Sequence, residues 1–260
     1  MNFTRRDTLI LAAAASALSL CGVATANAEE GDMIDMAKLM APAGDVADHV
    51  QGSETAPVTV IEYASPTCPH CAAFSNDVLP SFIEAYVNTG KVRFITRPFV
   101  RNVLDAAVFM LAEAGGPTNY HNVLATYFKT QNTWATSQTP RDAILEIAKQ
   151  LGFTQETFDA ALTNQALFTG MEALREQALS EFGLSGTPTF YVNGKTLTGD
   201  KTLEQLAAEI DPLVPADFVA TTPAAPAAAA PAPAATDAMA PAADAMAPAE
   251  PTATPVTPAQ

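Results

Sequence analysis

The chain has 260 residues and a formal charge of −15 at pH 7, with 28 acidic and 13 basic side chains. This acidity argues against nucleic acid or an anionic membrane surface as the partner, because both repel negatively charged proteins.

Residues 1–28 are predicted to be an export signal. Arg5 and Arg6 supply the charged start, residues 9–23 form an apolar run too short for a membrane span, and residues 26–28 read Ala-Asn-Ala, a cleavage site. Cleavage there would leave the rest of the chain outside the cytosol. We therefore expect a periplasmic protein, in a compartment that permits disulfides.

The export route stays open between the general and the twin-arginine pathways. Arg5 and Arg6 resemble a twin-arginine signal, but Thr8 stands where an aromatic residue is usual. Cys21 follows Leu20, which is too large for a good lipoprotein signal, so lipidation is not expected. Once the signal is removed, two cysteines remain, an even number.

Residues 29–57 are interpreted as a lead-in segment, with a short helix over 33–40 and weak pairing of 44–51 with a sheet edge. The first clear strand covers residues 58–63, an apolar run typical of a strand that is covered on both faces. Glu62 is the exception in this run. A carboxyl group there could pass protons to and from a nearby cysteine, and the alternative is a solvated carboxylate at the strand end.

Cys68-Pro69-His70-Cys71 follows this strand and opens a predicted helix. The first turn of a helix has free N–H groups and the positive end of the dipole, which stabilise a thiolate at Cys68. A protonated His70 would lower the Cys68 pKa further, while Cys71 is expected to be more buried. Pro69 fits the helix start, where its missing N–H is not needed. The spacing predicts a redox-active dithiol.

The alternative for this motif is a metal site. Zinc needs about four ligands, and His49 and His121 are distant in the sequence. A copper site made of Cys68, His70 and Cys71 remains open. If the motif is a redox-active dithiol, no metal or other cofactor is expected.

The helix after the cysteines is predicted to reach residue 88 with a kink at Pro80. A strand over 91–99 follows, which implies a parallel β-α-β unit with a right-handed crossover. Residues 102–183 are predicted to be helical throughout, with His121 and Trp134 packed among aromatic side chains. About five helices are expected there, over 103–114, 119–130, 141–150, 154–164 and 166–182.

Thr189 to Val192 is predicted to be a strand, Asn193-Gly194 a two-residue hairpin turn, and 195–198 the returning strand. A closing helix is expected over 201–210. Pro188, just before the hairpin, could be an ordinary strand-entry proline. Residues 213–260 contain half of the twenty prolines, mixed with alanine, and are predicted to be a disordered tail.

Two motifs together resemble the DsbA-like branch of the thioredoxin superfamily. The first is Glu62-Tyr63 leading into Cys68-Pro69-His70-Cys71, and the second is the segment 186–190, Gly-Thr-Pro-Thr-Phe. The resemblance covers roughly residues 46–211, and the Ala/Pro-rich tail lies outside it. It implies an α/β thioredoxin-like fold over 58–212, with the helices at 102–183 as an inserted domain.

The resemblance also implies roles for single residues. Pro188 is expected to be cis and to pack beside the two cysteines, and the Thr187 backbone to pair with an extended substrate segment. Pro69 joins Thr187 in the expected substrate-binding surface. Glu62 falls at the buried acidic position of the family, which favours the proton-relay role.

The family donates its disulfide to newly exported proteins and is reoxidised by a quinone-linked membrane partner. We therefore expect reduced exported polypeptides and such a reoxidase as partners. Three alternatives are a disulfide isomerase or reductase on the same fold, a copper-binding envelope protein that uses Cys68, His70 and Cys71, and a structural envelope protein in which the tail matters most.

Overall fold

A computed structural model describes residues 28–220, which form a five-stranded mixed sheet with helices around it. The strand order is β1-β3-β2-β4-β5, in which only β2 and β3 run parallel. The strands are β1 Val50–Gln51, β2 Val58–Ala64, β3 Val92–Pro98, β4 Thr189–Val192 and β5 Lys195–Thr198. The thioredoxin-like fold and the parallel β-α-β unit are confirmed.

Strand β2 lies between β3 and β4 and is the strand that leads to the cysteines. Six of its seven residues are buried, because helices cover the sheet on both faces. The apolar run predicted over 58–63 follows from this double burial. In this register Glu62 lies opposite Thr96 on one side and Phe190 on the other.

The helix after the cysteines is irregular on both sides of Pro80. It begins as α2 Pro69–Ala73, widens to a π-helical turn at Phe74–Val78, returns as α3 Leu79–Phe82 and widens again at Ile83–Val87. Proline lacks an N–H and its ring crowds the carbonyl four residues earlier, so the preceding turn cannot close normally. The sequence predicts a kink at Pro80, and the wide turn Phe74–Val78 lies just before it.

The described residues between β3 and β4 form six helices, one more than predicted. They are α4 Val103–Ala114, α5 Tyr120–Lys129, α6 Gln131–Trp134, α7 Pro140–Gln150, α8 Gln155–Leu162 and α9 Gln165–Ser180. The additional helix, α6, spans four residues, which is too short for a periodic apolar pattern. Trp134 at its end is fully buried and donates its ring N–H to the Tyr127 carbonyl, as a core residue.

The hairpin of β4 and β5 and the α-helix that follows it lie where the turn and capping residues of the sequence predict them. Asn193 and Gly194 both have positive φ, 44° and 93°, which is the geometry of a tight two-residue hairpin. Helix α10 covers Leu203–Ile210, and the Thr202 hydroxyl caps it by accepting a hydrogen bond from the N–H of Gln205.

The lead-in segment is attached to the rest of the fold. It contains the short helix α1 Met36–Leu39 and strand β1, which pairs with β3. Asp48 accepts two hydrogen bonds from Arg97, at 2.7 and 2.6 Å, and the guanidinium of Arg97 is only 1% exposed. A buried charge needs such a partner, so this pair holds the lead-in against the central sheet.

Gly44 and Gly170 bring the lead-in and helix α9 into backbone contact. A Cβ atom at Gly170 would overlap the carbonyl oxygen of Gly44, which cannot move as a flexible side chain would. We expect Gly170→Ala to lower the free energy of unfolding by about 1–3 kcal/mol in denaturant titration. Thr169→Ala, at the exposed neighbouring position, is the control, and an equal effect of the two substitutions would contradict this interpretation.

The predicted signal at 1–28 and tail at 213–260 lie outside the described residues, apart from Ala28 and residues 213–220. Among residues 28–220, no helix combines the length and the apolar character needed to cross a membrane.

Candidate active site

The two cysteines lie where strand β2 gives way to helix α2. Cys68 is the N-cap of α2, Pro69 and His70 occupy its first two positions, and Cys71 is the third. Both cysteines are free thiols, and they are 3% and 0% exposed, respectively. The sulfur of the N-cap residue therefore lies at the positive end of the helix dipole.

Hydrogen bonds lower the pKa of Cys68 to about 5. The largest contribution comes from the Cys71 thiol. Burial opposes it, and the Thr187 hydroxyl and the backbone N–H groups of Cys71 and His70 add to the lowering. Cys68 is therefore a thiolate at neutral pH, which is the form that attacks disulfides.

The pKa of Cys71 is shifted in the opposite direction to that of Cys68. Burial raises its pKa well above that of a free thiol, and its hydrogen bond to Cys68 and the charge of Glu62 act in the same direction. The N–H of Ser65 points to its sulfur at 3.5 Å. Cys71 therefore keeps its proton while Cys68 is ionised. Cys68 is thus the nucleophilic sulfur of the pair, and Cys71 is a protonated thiol.

The loop before β4 lies beside Cys68. The Thr187–Pro188 peptide is cis, as the resemblance implies, and the Cys68 sulfur lies 3.2 Å from the Thr187 carbonyl oxygen. The buried Thr187 hydroxyl has no hydrogen-bond partner in the geometry of residues 28–220, and it lies close enough to Cys68 to contribute to the lowered pKa of that thiol.

Glu62, in β2, is 2% exposed, so it is not a solvated carboxylate. Its pKa is raised to about 8, first by burial and then by the negative charge of Cys68. Within the described part of the chain, its Oε1 atom has no hydrogen-bond partner. Glu62 also lines a cavity of about 270 Å³, together with Thr96 and His121. The carboxyl group is therefore neutral at pH 7 and can hold a proton next to Cys71.

His70 is oriented by a residue that sequence reasoning missed. Its Nδ1 atom lies 2.7 Å from the Asp200 carboxylate, and both side chains are more than 60% exposed. Asp200 is 130 positions away in the chain, and no motif links the two. The effect of the His70 ring on Cys68 stays a prediction.

The loop between β2 and α2 is held by Asp105, which was also missed. Asp105 is fully buried and accepts hydrogen bonds from the Ser65 hydroxyl at 2.8 Å, the Thr67 N–H at 2.8 Å and the Arg101 N–H at 2.9 Å. Asn102 caps the same helix through the N–H groups of Leu104 and Asp105. The inserted helices thereby fix the turn that presents Cys68.

Gln131, in α6, holds the same loop from another side. Its amide group donates to the carbonyl oxygens of Pro66, at 2.7 Å, and Cys68, at 2.8 Å. No sequence motif links Asp105 or Gln131 to the cysteines, because these contacts join elements that are far apart in the chain. In the region from residue 28 to residue 220, no three His, Cys, Asp or Glu side chains are grouped closely enough to hold a metal ion.

Known proteins are similar to the chain in sequence and in fold. A family model described as thioredoxin matches residues 45–212. A Rickettsia bellii protein, provisionally named a protein-disulfide oxidoreductase, is 29% identical over 171 residues, which are 64% of this chain and 64% of that protein. The chain thus spans less than two thirds of the length of that relative.

Two further proteins extend the similarity. The crystal structure of a variant of alpha-DsbA1 from Wolbachia pipientis superposes with a TM-score of 0.63 at 27% identity, covering 69% of this chain and 96% of the other. Disulfide bond formation protein D of Bacillus subtilis is 24% identical over 174 residues, 62% of this chain and 75% of that protein. The chain belongs to the thioredoxin superfamily, in its DsbA-like branch.

Proposed function

We propose that this protein is a thiol:disulfide oxidoreductase that donates the Cys68–Cys71 disulfide to exported polypeptides. The observation that carries the proposal is the contrast between the two sulfurs, since the pKa of Cys68 is lowered to about 5 while that of Cys71 is raised. A stabilised thiolate favours the reduced dithiol, and this makes the corresponding disulfide a stronger oxidant.

The reaction begins with the oxidised protein. A substrate thiolate attacks the Cys68 sulfur, the Cys68–Cys71 bond breaks, and Cys71 leaves with the electron pair. A second substrate thiolate then attacks the substrate sulfur of the mixed disulfide and releases Cys68 as a thiolate. Two electrons pass from the substrate dithiol to the protein, one proton is taken up by Cys71 and the other is released to solvent.

Glu62 supplies the proton for Cys71 in this scheme. Because its pKa is about 8, the carboxyl group is mostly protonated at pH 7 and can neutralise the leaving thiolate. The cavity beside Glu62 gives water a route to restore the proton. The Thr187 backbone and Pro69 flank Cys68, and there an extended substrate segment can add to the exposed main chain.

The cellular setting is inferred from the signal predicted at residues 1–28. An export signal and a buried redox pair suit the periplasm, where newly exported chains are oxidised. A quinone-linked membrane protein is the reoxidant proposed for the reduced form. Fractionating cells that produce the full chain or a chain lacking residues 1–28 tests the location, and recovery of both in the same compartment would contradict it.

The direct test is oxidation of a reduced dithiol peptide by the oxidised protein, combined with the reduction potential in glutathione buffers. We expect one peptide disulfide per protein molecule and a potential more oxidising than that of thioredoxin, which is about −270 mV. A potential as negative as that of thioredoxin would favour a reductase. Stoichiometric Cu(I) binding that blocks the exchange would favour the copper-binding alternative.

Replacing Glu62 with Gln tests the proton step. The peptide-oxidation rate is expected to fall roughly a hundredfold, because the general acid is lost. Glu84→Gln, at an exposed position of the same irregular helix, is the control. A rate that is the same in the Glu62→Gln variant as in the control would remove Glu62 from the mechanism.

The same substitution is expected to increase stability. The folded-state pKa of Glu62 is about 8, against 4.5 in the unfolded chain, so the native state binds the extra proton between these values. Stability therefore falls as the pH rises from about 4.5 to 8. Glu62→Gln should remove this slope and raise the free energy of unfolding by up to about 3 kcal/mol at pH 7 in denaturant titrations.

A further inference from the structure

A series of contacts links Cys68 to the loop before β4, that loop to the loop after β5, and the loop after β5 back to His70. The sulfur lies 3.2 Å from the Thr187 carbonyl oxygen, and the next residue, Pro188, accepts a hydrogen bond from the Gly199 N–H at 2.9 Å. Asp200 follows directly and lies 2.7 Å from Nδ1 of His70, two positions after Cys68. The helix with the cysteines is thus joined to the loop after β5 across the rim of the site.

This loop is held in place independently of His70. The Glu30 carboxylate, from the lead-in segment, accepts from the Thr198 N–H at 2.6 Å and from the Thr198 hydroxyl at 3.0 Å. Lys201 donates to the Thr198 carbonyl at 2.6 Å and lies 3.4 Å from Glu30. The backbone of the loop that carries Asp200 is therefore fixed without a contribution from His70.

We propose that Asp200 is a positioning residue that keeps the His70 ring directed to the rim of the site and limits its action on the Cys68 sulfur. The inference rests on the proposed exchange function and concerns its driving force. An imidazolium paired with a carboxylate acts at a distance as a dipole, which has a weaker field than a single charge. The protein is therefore a milder oxidant than it would be with an unrestrained His70.

Asp200→Asn in the mature full chain tests this inference, because it removes the charge and keeps the shape. The Cys68 pKa is about 5, and its titration reports any change in the electrostatic field at the sulfur. We expect the Cys68 pKa to fall by about half a unit, and the equilibrium with glutathione to shift about threefold towards the reduced protein. Thiolate absorbance and glutathione titration measure the two quantities.

The shift must depend on His70 if Asp200 acts by restraining its ring. In the His70→Ala background, Asp200→Asn is expected to produce less than half of the pKa shift, because only the field of the carboxylate itself is then removed. Asp77→Asn removes the same charge from an exposed position on the helix that follows the cysteines, and is expected to have a smaller effect than Asp200→Asn.

Two outcomes would overturn the inference. One is an Asp200→Asn shift that is equal in the wild-type and His70→Ala backgrounds. The other is no shift, or a rise of the Cys68 pKa, in the Asp200→Asn variant. In either case a wild-type protein that still exchanges with glutathione leaves the proposed function intact. A wild-type protein that does not exchange would instead refute the proposed function.

Discussion

Replacing Cys68 with Ser is expected to lower the rate of peptide oxidation at least about a thousandfold, because the attacked and attacking sulfur is lost. Serine has nearly the shape of cysteine, so the N-cap position of α2 is preserved. The rate of disulfide formation in a reduced peptide, followed by chromatography, gives the measurement. Substantial residual oxidation by this variant would contradict the mechanism.

Cys71→Ser is the matched variant. It keeps the Cys68 thiolate, so it should form a mixed disulfide with an oxidised peptide but should not complete a cycle. Its Cys68 pKa is expected to rise above about 5, because the hydrogen bond from Cys71 is the largest contribution that lowers it. A variant that alkylates with the same pH profile as the wild type would show that this hydrogen bond is unimportant.

The reduced protein should also lose stability in acid through Cys68. Its folded-state pKa of about 5 lies below the unfolded value of 9.0, so the stabilisation is complete above pH 9 and is lost as the pH falls through 5. At pH 7 the contribution is about 2 kcal/mol after allowing for solvent screening. Denaturant titrations of the reduced wild type and of Cys68→Ser measure this contribution. The difference between their free energies of unfolding should shrink as the pH falls towards about 5 and stay constant below it.

Asp105→Ala is expected to give the largest loss of stability, about 3–5 kcal/mol in the free energy of unfolding. The side chain is fully buried, and its removal leaves the Ser65 hydroxyl and the N–H groups of Thr67 and Arg101 without their acceptor. Denaturant titration measures the loss. The loop before Cys68 should also become more accessible to protease.

Asn102→Ala is the control for Asp105→Ala. It removes the cap of α4, because the Asn102 side chain accepts from the N–H of Leu104 at 2.9 Å and of Asp105 at 3.1 Å. It also removes the hydrogen bond that the Asn102 amide donates to the Thr67 hydroxyl at 2.9 Å, and the two losses together should cost about 1–2 kcal/mol. If both variants lose the same stability, the buried Asp105 carboxylate contributes no more to the fold than the exposed Asn102 side chain, and the expected large loss is contradicted.

Much of the fold could be predicted because its signals are local. Apolar periodicity located α4 with its observed ends, Val103–Ala114, and the Asn193-Gly194 pair located the hairpin. The short helix α6, Gln131–Trp134, could not be found in this way, since four residues hold no period. Its place is set by tertiary contacts, in which Gln131 binds the cysteine loop and Trp134 fills the core.

Some features of the site could likewise be predicted from the sequence, whereas others depend on the tertiary structure. The two cysteines and their place at a helix start could be read from adjacent residues, because the stabilising N–H groups belong to the same turn. The family resemblance implies that Glu62 is buried, and the physical cause is the sheet order, which places β3 and β4 on either side of it. Its raised pKa is a consequence of that burial, and no local pattern contains it.

The sequence alone determined the dithiol, its helix and the family of the fold, because backbone propensity and short motifs act over a few residues. Only the tertiary structure decided which side chains hold the segment that carries the sulfurs. Asp105, Gln131 and Asp200 bind the Thr67 N–H, the Cys68 carbonyl and the His70 ring, respectively, from elements far along the chain. Electrostatic interactions depend on distance in space, so the acidity of Cys68 and the orientation of His70 are properties of the folded chain.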